Sequence, residues 1–300
     1  MTAKGSAAEG GQGEVIREKR AAILSLLTGA LVWGLIWYPY RILRDAGIDG
    51  VAASTLTYSV AFVFGLVFFR RALGGFSPSW TLFWLALASG GCNLGYVLAT
   101  LNGEVVRVLL LFYLAPLWTV LLSRLLLGER LNRAGVFVIA LSLAGAATML
   151  WHPRIGLPVP KDGADWLGLG AGFSFALLNV LSLKAQRVSI EIKSMVAFSG
   201  TMLIGGLLML CGIGQLQLPA APSAWLLLGL IGFVLVVVNF VVQYGLARVA
   251  ANRAIVIMLS EIGFAALAAW FLADEALGLR DWVGGAMIVA ASFFSAKMES

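Results

Sequence analysis

A handful of polar and aromatic side chains recur at helical spacing inside long apolar stretches of this chain, and their types suggest recognition of a small molecule. Trp33, Trp37 and Tyr40 stand at i, i+4 and i+7. On a helix they share one face and could form a wall that stacks on a ring. The same pattern also suits an interfacial aromatic belt, a role that fits Tyr40 better than the deeper Trp33. Ser89, Asn93, Tyr96 and Thr100 make a second stripe, beside Gly91 and Gly95, whose spacing permits close helix packing. Phe175, Asn179, Ser182 and Gln186 make a third, and Asn239 and Gln243 a fourth. Pro116 follows Tyr113 within a further apolar run. It has no N–H to donate, so it kinks the helix and leaves the Phe112 carbonyl without its usual partner. The amides and hydroxyls could grip a zwitterion while Trp33, Tyr96 and Tyr113 pack on its side chain. Interhelical hydrogen bonding, worth about 0.6 kcal/mol per contact, would explain the same polar groups as glue, and a packing kink would explain Pro116.

Glu261 lies ten residues into another apolar run, about 15 Å deep at 1.5 Å per residue. A carboxylate at that depth must be paired or protonated. It could therefore couple transport to protons or serve as a structural hydrogen-bonding group. Catalytic and metal chemistry find no support. The one histidine, His152, stands beside Pro153 at the edge of a run, and there is no HExxH, G-x-S-x-G or P-loop pattern. No membrane-embedded His–Ser or Asp–Asp pair suits an intramembrane enzyme, and no cofactor is implied. Cys92 and Cys211 form no disulfide framework or CxxC site and read as small apolar residues.

The elements that carry these residues follow from composition. Of 300 residues, 60% are apolar and only 12% charged, with mean hydropathy +0.93. Soluble domains average about 25% charged residues, so too little polar surface exists to coat a soluble fold. Backbone polar groups in lipid must be satisfied within each segment, which calls for helices of about 20 residues. Ten segments qualify: 21–40, 51–69, 80–101, 104–127, 134–151, 165–186, 193–214, 224–247, 251–273 and 281–297. Residues 1–20 are polar and read as a disordered cytoplasmic tail rather than a cleaved leader.

The net charge of +6 is scattered in short clusters between the spans, which argues against a nucleic-acid surface. With the N-terminus placed inside, fourteen Lys and Arg residues, Lys193 and Arg253 among them, fall on the cytoplasmic side and six outside. Both ends are therefore expected in the cytoplasm, in a cell inner membrane.

The chain also aligns with itself at a shift of 146 residues. Asn93 meets Asn239, Arg107 meets Arg253, and Glu129 meets Glu275, while Leu125–Leu131 meets Phe271–Leu277. Five spans per copy is odd, so the second copy must insert upside down. The expected fold is an all-α membrane protein of ten transmembrane helices in two inverted five-helix repeats, 21–151 and 165–297, joined by an external linker at 152–164.

Tyr113-Leu114-Ala115-Pro116, Leu-Gly-Glu-Arg-Leu at 127–131, Leu259-Ser260-Glu261-Ile262 and Asp274-Glu275 resemble the drug/metabolite transporter superfamily, EamA type, over residues 21–297. That family usually has Glu-Pro where Glu261-Ile262 stands. The Tyr-Leu-x-Pro segment is similar to the YddG branch of aromatic amino-acid exporters. The resemblance implies that spans 1, 3, 4, 6, 8 and 9 surround a central cavity, with 5 and 10 peripheral. It implies export of amino acids, aromatic ones favoured, by alternating access. The site residues expected are Trp33, Asn93, Tyr96, Tyr113, Asn179, Ser182, Asn239 and Gln243, with Pro116 a hinge and Glu261 a coupling or structural group. The alternative is an exporter of amphipathic drugs or another metabolite, possibly proton-coupled. A nucleotide sugar would want buried basic residues, for which only Arg107, Arg253 and Lys184 offer themselves, all near span ends. The partners are the small-molecule substrate and lipid, and the unit is a monomer, with a dimer left open.

Overall fold

The computed structural model describes residues 3–103, 105–150, 160–215, 221–273 and 278–297, and every element in it is a helix. The first span is α1 (Ala3–Leu35) followed by α2 (Trp37–Asp45). Helix α1 begins inside the stretch expected to be a disordered tail, so residues 3–20 are helical. A formed span supplies the costly nucleus from which helix can extend outward. The interruption at Ile36 has a local cause. Pro39 withholds the N–H that the Leu35 carbonyl would accept.

The second span is α3 (Gly50–Phe68), started by Asp49, whose carboxylate accepts from the N–H groups of Val51 and Ala52 at 2.9 and 3.4 Å. One turn of helix, α4 (Arg70–Leu73), leads to α5 (Trp80–Asn102), capped by the Ser79 hydroxyl. The fourth span is split into α6 (Val105–Phe112) and α7 (Ala115–Leu126), and the fifth is α8 (Arg133–Leu150). The sixth to eighth spans are α9 (Gly163–Lys184), α10 (Ile190–Leu210) and α11 (Pro222–Leu246). Asp162 and Ser189 cap α9 and α10, and Pro222 opens α11 where no N–H is needed. The ninth span is also split, into α12 (Ala251–Met258) and α13 (Ser260–Ala273), and α14 (Leu279–Lys297) is the tenth.

Nine of these stretches are long and apolar enough to cross a bilayer, and Trp282–Ala291 within α14 is a shorter apolar helix. Large apolar side chains point outward along them. On α11, Leu226, Leu230, Phe233 and Val237 form one exposed stripe at helical spacing. Such a stripe is stable only against lipid.

Close backbone contact at small residues holds the helices together, since burying apolar surface gives little drive between helices already in lipid. On α10, Gly200 lies against the Ala86 carbonyl of α5, and Gly90 of α5 lies against the Gly200 carbonyl. Gly145 of α8 and Gly284 of α14 face each other in the same reciprocal way, which makes the fifth and tenth spans partners. Helix α9 packs on α5, α6 and α7, and α1 packs on α11, α12 and α13.

The broken fourth span was expected from Pro116. The break at Leu259 was not, because Ile262 stands where a proline would explain it. It falls 146 residues after Tyr113, the shift at which the two halves align. There the Ser260 hydroxyl donates to the Ile257 carbonyl at 2.7 Å, and the Ile262 N–H reaches only three residues back, to Leu259, at 3.1 Å. A serine bonding its own backbone offers an alternative to the helical ladder and bends it. Asp274, Glu275 and residues 151–159, which include His152 and the first part of the 152–164 linker, lie outside the described residues.

Candidate functional site

The two broken spans meet. Tyr113, at the first break, donates its hydroxyl to the carboxyl group of Glu261, just after the second. This supplies the partner that a carboxyl group at this depth requires. Nearby, Gly34 of α1 sits so close to α13 that a Cβ would come to 2.9 Å from the Glu261 carbonyl oxygen. That contact places Trp33 alongside the second break. Trp33 is half-buried and packs against two separate apolar clusters, one around Ile48 and Phe198 and one around Leu26 and Val242.

An aromatic group surrounds Phe112, a residue the sequence did not single out as a site. Tyr96 meets its ring edge-on at 5.3 Å between centroids, Tyr113 at 5.2 Å, and Phe175 stacks on it at 5.5 Å. The four rings come from α5, α6, the break itself and α9. The Phe112 carbonyl freed by Pro116 is not left open. It lies against Gly172 of α9, where a Cβ would be only 2.4 Å away. Pro116 is buried, so the kink serves close packing at this point.

Asn93 is held in place rather than left loose. It accepts from the Tyr58 hydroxyl at 2.8 Å and donates to the Ser89 carbonyl at 2.9 Å. Ser89 in turn meets Thr201 of α10 at 3.2 Å, a contact between the two halves. Tyr58 was missed because a lone tyrosine in an apolar run gives no periodic signal. Tyr40, read as a belt residue, turns inward instead, and its hydroxyl meets that of Thr57 at 2.6 Å.

The remaining polar residues form a second layer. Asn179 stands five residues before the end of α9 and Asn239 seven before the end of α11, about 7.5 and 10 Å from those ends. They therefore lie toward the Lys184 end of the bundle rather than at mid-depth with Glu261. Asn179, Ser182 and Gln243 are at most 2% exposed. Each has a polar atom without a hydrogen-bond partner: Asn179 Nδ2, Ser182 Oγ and Gln243 Oε1, joined by Asn239 Oδ1. Gln186, expected on the Asn179 face, lies past the end of α9 and is exposed.

In the sequence Lys193 opens the 193–214 span as one of the cytoplasmic-side charges. The structure buries it at 1% exposure in the first turn of α10, its ammonium donating to the Ser182 carbonyl at 3.1 Å. Periodicity cannot reveal such a lysine, because charge at a span end ordinarily marks solvent.

At the same end Glu129 bridges the halves. Its carboxylate accepts from the Ala251 N–H at 3.3 Å and from the Asn252 side-chain amide at 2.8 Å, so it caps α12. It borders a cleft of about 160 Å³ that also touches Asn132, Ile139 and Arg253. Glu129→Ala should destabilise this junction by about 1.5–3 kcal/mol, as expected for bonds to a charged group. Thermal melts of the detergent-solubilised protein, combined with Asn252→Ala in a double-mutant cycle, check this. Fully additive losses would mean the bridge contributes nothing.

Comparison with known proteins agrees with this architecture. The profile of the EamA-like transporter family matches twice, over residues 20–151 and 163–296. An uncharacterized transporter of Archaeoglobus fulgidus is 30% identical over 251 residues, covering 82% of this chain and 87% of that protein. Protein RarD of Salmonella typhi is 27% identical over 182 residues, 56% of this chain and 57% of its own length. A solved crystal structure, described only as that of a protein, superposes with TM-score 0.75 at 20% identity, over 92% of this chain and 98% of its own, and shows a shared fold. Two matches to one profile, nine described helices long and apolar enough to cross a bilayer with a shorter tenth, and an outward-facing apolar surface lead to one conclusion: the chain belongs to the EamA-like transporter family and is a multi-pass membrane transporter.

Proposed function

We propose that this transporter exports amino acids, aromatic ones favoured, by alternating access between two inverted repeats, with both termini in the cytoplasm of an inner membrane. The observation that carries this reading is the pairing of two layers. Aromatic rings gather around Phe112 beside two broken helices, and buried amide and hydroxyl atoms without partners lie below them. Broken helices at corresponding positions of two repeats are where secondary transporters build their sites. Orphaned polar atoms in lipid-embedded helices call for water or a ligand. The aromatic layer, together with the Tyr113–Pro116 likeness to aromatic amino-acid exporters, supports a ring-bearing side chain. Glu261 then contributes structure through Tyr113.

Uptake into proteoliposomes of a panel of amino acids and cationic drugs tests this. Aromatic amino acids should be carried. Transport of the drugs alone would favour the amphipathic-drug reading instead. Stacking adds about 0.5–1.5 kcal/mol beyond area burial, so Trp33→Ala should weaken tryptophan and phenylalanine transport several-fold and alanine transport less. Equal loss for every substrate would point to a gating role. Reporter fusions in the 152–164 linker should register outside the cytoplasm, and cytoplasmic labelling of the linker would overturn the inversion.

A further inference from the structure

We propose that Lys193 recognises the carboxylate of a zwitterionic substrate, with Ser182 and Asn179 donating beside it and Asn239 and Gln243 accepting from the substrate's ammonium. This deepens the amino-acid reading and rests on it.

The argument begins with the cost of a buried cation. A lysine ammonium has three protons to donate and a full charge. Lys193 uses one donor on the Ser182 carbonyl, and among the described residues no carboxylate is paired with it. Arg248, which stacks over the Tyr244 ring at 3.8 Å, makes the local field more positive rather than less. The α9 carbonyl partners this charge only in part, and an anion beside it would complete its partners.

The unpartnered atoms on α9 and on α11, a helix that packs against both α9 and α10, sort by chemistry. The Ser182 hydroxyl belongs to the residue whose carbonyl Lys193 already touches, and Asn179 precedes it by one helical turn on the same face. Their unpartnered atoms, an O–H and an N–H₂, are donors that an anion satisfies. On α11 the unpartnered atoms are Asn239 Oδ1 and Gln243 Oε1, both acceptors, which a cation satisfies. Donors around a lysine on α9 and α10, and acceptors on α11, match the two ends of a zwitterion. The aromatic layer lies deeper, where the side chain would point. A plain structural role is the competing account, since a lysine on one of the last carbonyls of α9 also caps that helix. The two accounts differ in what glutamine does at this position. It retains a donor for the carbonyl but removes the charge.

The test uses the full-length protein in nanodiscs and calorimetric titration with three indole ligands: L-tryptophan, tryptamine, which lacks the carboxylate, and indole-3-propionate, which lacks the ammonium. Wild type should bind tryptophan and indole-3-propionate. Lys193→Gln should weaken both by about thirtyfold, the size expected for loss of one partner of a buried charge pair, and leave tryptamine unchanged. Lys193→Arg should restore much of the loss. Equal weakening of tryptamine, no weakening of either carboxylate, or a wild type that binds neither carboxylate would overturn the proposal. If wild type binds indole-3-propionate but not tryptophan, the amino-acid reading fails and the lysine site stands on its effect on indole-3-propionate. Should the Gln variant not fold, Asn179→Ala leaves the lysine–carbonyl bond intact and carries the same comparison.

Discussion

Gly200→Ala should be among the most damaging single substitutions in this protein. The added Cβ would come to 2.0 Å from the Ala86 carbonyl oxygen, with two further backbone atoms of Ala86 within 2.8 Å. Those atoms belong to α5 and cannot swing away as a side chain end could. Helices α5 and α10 would have to separate by more than 1 Å, and the movement would also strain the reciprocal contact at Gly90 and the Ser89–Thr201 bond. Overpacking of this kind costs about 3 kcal/mol or more. Gly206 of the same helix is the internal control, since a Cβ there meets nothing within 4 Å. Gly206→Ala should melt at or slightly above the wild-type temperature in detergent, because alanine favours helix over glycine. Equal melting temperatures for Gly200→Ala and wild type would show that α5 and α10 are not packed as described.

The second large effect belongs to Glu261. Replacing it with leucine removes the acceptor for the Tyr113 hydroxyl, and Tyr113 is only 7% exposed. A buried hydroxyl left without a partner costs about 1–3 kcal/mol. Here the loss falls at the contact between the two broken spans, so transport should drop with stability. Glu261→Gln should behave differently. Its amide oxygen accepts the same bond, and substrate exchange and gradient-driven transport should both persist. Tyr113→Phe combined with Glu261→Leu should recover much of the lost stability, since removing both partners leaves nothing unsatisfied. If Glu261→Gln keeps exchange but loses its response to a pH gradient, the residue carries protons rather than structure.

The break at Leu259 bears on how the halves could move. A broken helix lets its two parts tilt independently, and here the breaks stand at matching positions in the two copies and touch through Tyr113 and Glu261. Glu129 ties the end of α7 to the start of α12 on the Lys184 side. Opening that side to release the bridge while the breaks stay in contact would be a hinge motion of familiar kind.

Composition and periodicity were enough to establish the spans and the membrane, because a chain this apolar has one solvent it can fold in. Self-alignment at 146 residues suggested two copies from polar landmarks such as Asn93 and Asn239, and the family profile matches twice, over residues 20–151 and 163–296. Pro116 announced its own break through the missing N–H. The rest depended on which helices face each other. Asn93 and Tyr58 are 35 residues apart, Tyr113 and Glu261 are 148 apart, and no local pattern says that their hydroxyl and acceptor meet. The break at Leu259 falls where Ser260 bonds its own backbone, but Ser25, Ser59, Ser142 and Ser199 make the same kind of bond inside unbroken helices, so the serine alone does not announce it. Lys193 and Tyr40 read as surface and belt residues because their types usually are. Their burial was decided by the neighbouring helices, which cover a side chain according to its place in three dimensions and not its position in the sequence.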